Sequence, residues 1–215
     1  MEKVNIFLVD DHKLFREGLK LLLKNLQEVN EVWEAENGED FLNRLTEKQP
    51  DLVLMDIEMP VMNGIDATVQ ALVRFPELKI IALSMFGDEE YFQKMIDAGA
   101  CGFLMKNSDF SEVRRAVTNV LQGNNYFTEE ILYRFVNKFR TRPSAPAEEQ
   151  VSLSDREKEV LMLICKGLSN QDIASQLFIS KRTVDHHRAS LMTKTNTNNA
   201  ASLVIYAVKH KLIEI

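Results

Sequence analysis

Short apolar runs alternate with amphipathic stretches through about the first 125 residues, and this alternation restricts the fold more than any other feature of the sequence. The apolar runs cover residues 4–9, 31–36, 52–55, 79–84 and 101–105. Three of them contain continuous apolar segments, as is typical of strands buried on both faces of a parallel sheet. The amphipathic pattern is clearest after the first run, in Phe15, Leu19, Leu22 and Leu26. We therefore predict five βα units in an α/β fold with a doubly wound, five-stranded parallel sheet.

The alternation ends near residue 126. Residues 126–150 combine apolar side chains at helical spacing with a segment that holds two prolines and no large apolar side chain. We interpret this stretch as a linker helix followed by a flexible linker. Four helical patterns and no strand pattern follow. The sequence thus predicts one domain over residues 1–125 and a small all-helical domain over residues 151–215.

Charge divides the chain in the same way. Residues 1–150 carry 17 Lys and Arg against 26 Asp and Glu, whereas residues 151–215 carry 9 against 6. A basic second part favours an anionic partner for that part alone. The apolar runs are too short to span a membrane, and Cys101 and Cys165 are too far apart to suggest a metal-binding pair. We expect a cytoplasmic protein with no membrane partner.

Polar side chains follow four of the five predicted strands. Asp10 and Asp11 follow the first strand, Asp56 the third, Ser84 closes the fourth, and Lys106 follows the fifth. Each residue alone has an ordinary structural explanation, such as a helix cap or a surface charge. Because the carboxyl ends of parallel strands meet at one edge of a sheet, their coincidence favours a common site.

The chemistry of these side chains indicates phosphoryl transfer. Clustered carboxylates repel one another, so they require either protonation or a cation. Mg²⁺ suits such oxygen ligands and is commonly completed by a phosphate oxygen. One carboxylate could then act as a nucleophile, while Lys106 opposes the charge of the transferring group and the Ser84 hydroxyl donates to it.

Residues 50–64, with the acidic, hydroxyl and lysine positions around them, resemble the receiver domain of two-component response regulators over about residues 3–122. The resemblance implies that Asp56 is the phosphoacceptor. It implies a Mg²⁺ site formed by Asp10, Asp11, Asp56 and the backbone carbonyl of Glu58.

The resemblance also implies that Phe103 is an aromatic switch that turns inward when Ser84 engages the phosphoryl group. Two positions depart from the common receiver pattern. Met85 stands where many receivers have a small residue, and Asn107 stands where many have proline, so we expect a trans peptide bond there.

The second part contains the signals of a helix-turn-helix. Ser154 and Glu157 form a capping box, and Ser180 would cap a third helix after a tight turn. Helical spacing places Val184, His187 and Leu191 on the inward side of that helix. A solvated helix face remains an alternative, but the opposite side could also contact DNA, through Lys181, Arg182, Asp185, His186, Arg188, Ala189 and Lys194.

Residues 152–212 are similar to the LuxR-type DNA-binding domain, through the segments 153–161, 167–174 and 179–187. Together the two parts resemble a NarL/FixJ-type response regulator, which implies a signalling phosphoacceptor rather than an enzyme. Its partners would be a sensor histidine kinase, promoter DNA and, after phosphorylation, a second copy of the chain. RNA polymerase remains open as a further partner. Asp185 departs from the basic residue common in the family.

Two other interpretations use the same residues. A hydrolase that forms an aspartyl phosphate would need the same carboxylates, Mg²⁺ and lysine, and would show steady turnover. A DNA-binding protein that works without phosphorylation would keep the second part but not need the acidic site. The intact set of acidic, hydroxyl and lysine side chains argues against the latter.

Overall fold

The five apolar segments pair as one parallel sheet in the computed structural model of the chain. The structure describes residues 3–85, 89–128, 151–165, 168–197, 199–210 and 212. The strands lie in the order β2-β1-β3-β4-β5, so the winding direction reverses between β1 and β3. Their bounds are β1 Val4–Val9, β2 Val29–Ala35, β3 Leu52–Asp56, β4 Lys79–Ser84 and β5 Gly102–Met105. This arrangement confirms the predicted doubly wound α/β fold.

One helix follows each strand, and the apolar faces of these helices pack on the sheet. The helices are α1 Lys13–Lys24, α2 Gly38–Leu45, α3 Gly64–Arg74, α4 Glu89–Ala98 and α5 Phe110–Leu121. All residues of β3 are buried, as are most residues of β1 and β4. A strand covered on both faces requires such a continuous apolar run, which explains the sequence pattern.

The buried face of α1 differs from the predicted one. Leu19 and Leu26 are buried as expected, but Leu22 is exposed and Leu23 takes its place in the core. The buried stripe also contains Arg16, which periodicity of apolar residues cannot identify. The predicted start of β2 at residue 31 was also late, since the strand begins at Val29.

The chain divides into two compact units, Met1–Thr128 and Glu129–Ile215. Tyr126 belongs to the first, because its amide donates to the Cys101 carbonyl at 3.0 Å and its carbonyl accepts from the Phe103 amide. The linker helix and flexible linker predicted for residues 126–150 lie outside the described residues from residue 129 onward.

The described part of the second unit contains the four predicted helices. They are α6 Asp155–Cys165, α7 Asn170–Leu177, α8 Lys181–Thr195 and α9 Ala200–Lys209. Val160, Ile173, Val184 and Leu203 are fully buried and join the helices in one core. Because α7 ends at a short turn and Ser180 caps the start of α8, the two helices form a helix-turn-helix.

Candidate functional site

Strand register gathers the polar side chains of the first unit at one edge of the sheet. Val9 pairs with Met55, so the next residues, Asp10 and Asp56, lie side by side. The same argument places Ser84 and Lys106 beyond Asp56, since Asp56 pairs with Leu83 and Ser84 with Met105. The predicted convergence of strand ends is therefore present in the structure.

Lys106 lies between two carboxylates. Its Nζ is 2.7 Å from Asp56 Oδ2 and 2.8 Å from Asp10 Oδ2, and all three side chains are almost fully buried. Burial lowers the pKa of Lys106, but the hydrogen bonds and charges of Asp10 and Asp56 outweigh it and raise that pKa. The lysine therefore stays charged and can neutralise part of the negative charge of the pocket.

Asp56 has the electrostatics of a reactive carboxylate. Burial raises its pKa to about 6; the Asp10 charge adds to this, and Lys106 and the amide of Ile57 oppose it. The Ile57 amide donates to Oδ1 at 2.8 Å. A carboxylate with a raised pKa is more basic and more nucleophilic than an exposed one, while most of it remains ionised at neutral pH.

Four potential ligands lie close enough together to share one cation. Single ligand atoms of Asp10, Asp11, His12 and Asp56 all lie within 4.8 Å of one another. The three carboxylates supply the hard oxygen atoms that Mg²⁺ prefers. His12 was missed by the sequence analysis, although its position directly after the two aspartates is a signal that could have found it.

His12 also orders the acidic turn. Its amide donates to Asp10 Oδ1 at 2.8 Å, and its Nδ1 lies 2.9 Å from Asp11 Oδ1. Arg16 also stabilises this turn, because its Nη1 donates to the Asp10 carbonyl. Its other nitrogens lie 3.3 Å from carboxylate oxygens of Glu34 and Glu36, at the end of β2.

The turn after β3 depends on Gly64. A Cβ atom at this position would lie 1.9 Å from the carbonyl oxygen of Asp56, so any other residue type requires the backbone to shift. The Gly64 amide donates to the Ile57 carbonyl at 2.9 Å and closes the turn. The close approach fixes the backbone of Asp56 at the mouth of the site.

The remaining predicted site residues surround this pocket. Ser84 is buried at the end of β4, and Met85 beside it is exposed. Phe103 is buried and meets Phe92 edge to face, with ring centroids 5.3 Å apart. The side chain of Glu58 accepts a hydrogen bond from the Tyr91 hydroxyl at 2.7 Å. The peptide bond before Asn107 is trans, as expected.

Five of the seven residues predicted to contact DNA are exposed on helix α8: Lys181, Arg182, Asp185, His186 and Ala189. Three of the seven contact other residues of the unit. Lys194 Nζ lies 2.8 Å from Glu157 Oε2, Arg188 donates to Asn170, and Asp185 accepts from Asn170. Val184 and Leu191 are buried as predicted, and Met192 is partly buried against the same core.

Glu157 joins the start of α6 to α8. It closes the predicted capping box with Ser154, whose amide donates to Oε2 at 2.8 Å, and it accepts from Ser190 at 2.7 Å. Burial opposes ionisation of Glu157, but Lys194, Ser154 and Ser190 outweigh this and lower its pKa to about 2. The sequence analysis identified Glu157 only as part of a helix cap and not as a charged contact between helices.

Comparison with known protein families identifies both units. Residues 6–118 match the response regulator receiver domain, and residues 151–207 match the bacterial regulatory proteins of the LuxR family. The chain belongs to the response regulator family, in its NarL/FixJ group, and combines a receiver with a LuxR-type helix-turn-helix. It is a DNA-binding regulator of a two-component system.

Two curated relatives are similar to this chain over nearly its whole length. The oxygen regulatory protein NreC of Staphylococcus epidermidis is 38% identical over 98% of this chain and 100% of its own length. The response regulator protein VraR of Staphylococcus aureus is 32% identical over 98% of this chain and 99% of its own length.

Solved structures give the same assignment. RcsB of Salmonella enterica serovar Typhimurium, bound to promoter rprA in the presence of phosphomimetic BeF3⁻, has 26% identity and a TM-score of 0.58, and covers 97% of this chain and 100% of its own. The response regulator ChrA of a heme-sensing two-component system has 29% identity and a TM-score of 0.54, and covers 99% of this chain and 100% of its own. Within the described part of this chain, every helix is too short or too polar to cross a membrane.

Proposed function

We propose that Asp56 accepts a phosphoryl group from a sensor histidine kinase and that this modification changes how the second unit binds promoter DNA. The observation that carries the proposal is the buried contact of Asp56 with Lys106, at 2.7 Å, inside a cluster of acidic side chains. Burying carboxylates of like charge together costs free energy, and such perturbed groups are concentrated at functional sites.

The transfer needs one nucleophile and one leaving group. An ionised oxygen of Asp56 attacks the phosphorus atom, and the bond from phosphorus to the kinase imidazole nitrogen breaks. The electron pair stays with the imidazole, which takes up a proton. Lys106 lies within contact distance of Asp56 and offsets charge on the phosphoryl oxygens, and Ser84 at the end of β4 donates to one of them.

The same residues fit Mg²⁺. Asp10, Asp11 and Asp56 would hold the ion with carboxylate oxygens, and the Glu58 backbone carbonyl would be a further ligand. The ion would supply positive charge that stabilises the negative charge of the transferring group. Asp10 and Asp56 are buried, so each already lacks the water that would otherwise solvate it.

The second unit would bind the promoter DNA in response to phosphorylation. Helix α8 presents Arg182, Asp185 and His186 to the major groove, with Lys181 beside them for phosphates. Phosphorylation would favour a homodimer on a two-fold promoter site, with Phe103 and Ser84 as the residues that sense the modification. RNA polymerase is a further candidate partner at such promoters. Because the proposed target is promoter DNA, we propose that the protein acts in the cytoplasm.

Replacement of Asp56 tests the proposal. The full chain is treated with a small-molecule phosphodonor and Mg²⁺, and intact mass and DNA retention are measured for the wild type, Asp56→Asn and Asp51→Asn. Asp51 is exposed just before β3, at the end opposite Asp56, and serves as the matched control.

We expect one hydroxylamine-sensitive phosphoryl group per chain, with stronger DNA binding, in the wild type and in Asp51→Asn. Asp56→Asn should show neither effect. Equal phosphate-stimulated DNA binding in Asp56→Asn would contradict the proposal. Steady turnover of the phosphodonor without accumulation of the modified chain would favour a hydrolase instead.

A further inference from the structure

One side-chain amide links Asp185 and Arg188, two charged residues of α8. Asn170, the first residue of α7, donates through Nδ2 to Asp185 Oδ1 at 2.7 Å. Its Oδ1 accepts a hydrogen bond from Arg188 Nη1. The amide therefore satisfies an acid and a base that lie three residues apart on the neighbouring helix.

The cap and the packing of α7 hold Asn170 in position to contact both Asp185 and Arg188. Ser169 caps α7, because its Oγ accepts from the Asp172 amide at 3.2 Å. Helix α7 in turn packs on α8 through Ile173 and Val184, which are both fully buried in the same core. The amide is thus attached to the capped start of a packed helix rather than to a loop, which favours accurate placement of a binding group.

The two contacts are chemically suited to their partners. A neutral amide donates to the carboxylate and accepts from the guanidinium, so both hydrogen bonds are charge-assisted. Only one carboxylate oxygen of Asp185 takes part. The other oxygen, on an exposed residue, is left to accept a hydrogen bond. The major groove offers two base amino groups as donors, those of cytosine and adenine. The acceptor N7 beside the adenine amino group would repel a carboxylate, so cytosine is the better match.

Arg188 would behave differently without this link. Its side chain is half-buried; burial lowers its pKa and the charge of Asp185 opposes that effect. Residues at positions i and i+3 of a helix are neighbours, so a released Arg188 can pair directly with Asp185. Such a pair would occupy the carboxylate and weaken its contact with a base.

We propose that Asn170 is a specificity-determining positioning residue for DNA recognition, which keeps Asp185 apart from Arg188 so that the carboxylate reads a cytosine. The inference rests on the proposed reading of DNA by α8. Asn170 acts on the base through Asp185, which makes the two residues energetically coupled.

The test is sequence selection from a random double-stranded DNA library by the full chain activated with beryllofluoride and Mg²⁺. The variants are Asn170→Ala, Asn170→Asp, Asp185→Ala and the double variant Asn170→Ala with Asp185→Ala. Ser175→Ala is the matched control on the same helix, because its hydroxyl contacts only the Gln171 carbonyl of α7.

We expect the wild type and Ser175→Ala to prefer a C·G pair at one position of each half-site. Asn170→Ala, Asn170→Asp and Asp185→Ala should each lose about tenfold of that preference, which corresponds to the usual value of one good base contact. The double variant should lose no more than Asp185→Ala alone. Asn170→Asp keeps the size of the side chain and an acceptor for Arg188, so it serves where Asn170→Ala destabilises the fold.

Three results would overturn the inference. They are an unchanged base preference in the Asn170 variants, an unchanged preference in Asp185→Ala, and a further loss on replacing Asn170 when Asp185 is already alanine. If the activated wild type itself selects no sequence, the proposed DNA reading fails and the inference fails with it. A wild type that selects a sequence together with any of the three results removes the inference alone.

Discussion

Gly64 shows how one missing methyl group can determine the position of a reactive carboxylate. An alanine Cβ would lie 1.9 Å from the Asp56 carbonyl oxygen, so the turn must open before alanine can fit. We expect Gly64→Ala to lower the free energy of unfolding by at least about 2 kcal/mol, as backbone overpacking does. Phosphoryl incorporation should fall as well, because Asp56 moves with its backbone. Chemical unfolding and intact mass measure the two effects.

Gly18 is the matched control for that prediction. It lies in the middle of α1, and apart from its chain neighbours and the backbone of its own helix, no atom of the described residues lies within 4 Å of the position its Cβ would take. Gly18→Ala should therefore stabilise the protein by about 0.5 to 1 kcal/mol through helix propensity, without an effect on phosphorylation. Equal behaviour of the two variants would show that the contact with Asp56 has no consequence.

Arg16 determines the shape of the acidic turn from a buried position. It contacts the Asp10 carbonyl, Glu34 and Glu36, which a planar guanidinium can do and a lysine ammonium cannot. We expect Arg16→Lys to destabilise the first unit by about 1 to 3 kcal/mol, because the buried side chain loses donors to the buried Asp10 carbonyl and to the two carboxylates. It should also weaken binding of Mg²⁺.

Fluorescence of Trp33, the single tryptophan of the chain, measures both effects of Arg16→Lys. The ring of Trp33 meets Phe7 edge to face, so its emission reports on the first unit. Lys13→Met, at an exposed position of the same helix, is the control and should change neither stability nor metal binding. An Arg16→Lys protein that unfolds at the same midpoint as the wild type would contradict the role given to the guanidinium.

Among the elements, α6 and α8 are joined by a charge whose effect depends on pH. The pKa of Glu157 is held at about 2, below its ordinary value near 4.5. A depressed pKa stabilises the fold above the ordinary value, and the stabilisation is lost as the pH falls from about 4.5 to about 2. Glu157→Gln should thus cost about 1 kcal/mol at pH 7, since the half-exposed Lys194 limits the gain.

Calorimetry of the wild type and Glu157→Gln between neutral pH and about pH 3 tests this link. The difference in stability between the two proteins should stay constant down to about pH 5 and shrink below it. Glu159→Gln is the control at an exposed position of the same helix. A difference that does not change with pH would mean that shape rather than charge holds α6 against α8.

Helices and strands of the sheet were predictable from the sequence because their signals are local. Alternating apolar runs marked all five strands, and serine caps marked the starts of α6 and α8. Even the convergence of Asp10, Asp56 and Lys106 follows from the rule that parallel strands end at one edge. These predictions needed no knowledge of side-chain contacts.

Contacts between distant residues were not predictable in the same way. Lys194 contacts Glu157, which lies 37 positions earlier in the chain, and helical spacing gives no sign of this ion pair. Asn170 pairs with Asp185 across two helices, and periodicity along either helix carries no sign of that pair. The predicted buried face of α1 did not include Arg16, because apolar spacing cannot identify a charged side chain that is buried where partners satisfy it.

At the scale of the whole molecule, the two units carry opposite charge and different tasks. The acidic first part would repel DNA phosphates, whereas the basic second part attracts them. The single tryptophan, Trp33, lies in the first unit, so its fluorescence reports ligand binding to that unit. A ligand that binds only the folded form stabilises it in proportion to the logarithm of its concentration.

Mg²⁺ should stabilise the first unit and not the second. At ten times its dissociation constant, the ion would add about 1.4 kcal/mol to the free energy of unfolding followed by Trp33 fluorescence. Asp11→Asn should abolish this gain, and because Asp11 is exposed, the fold should survive the change. NaCl at the same ionic strength is the control for screening. If Asp11→Asn responds to Mg²⁺ as the wild type does, the ion binds elsewhere, and the acidic pocket is not the magnesium site on which phosphoryl transfer to Asp56 depends.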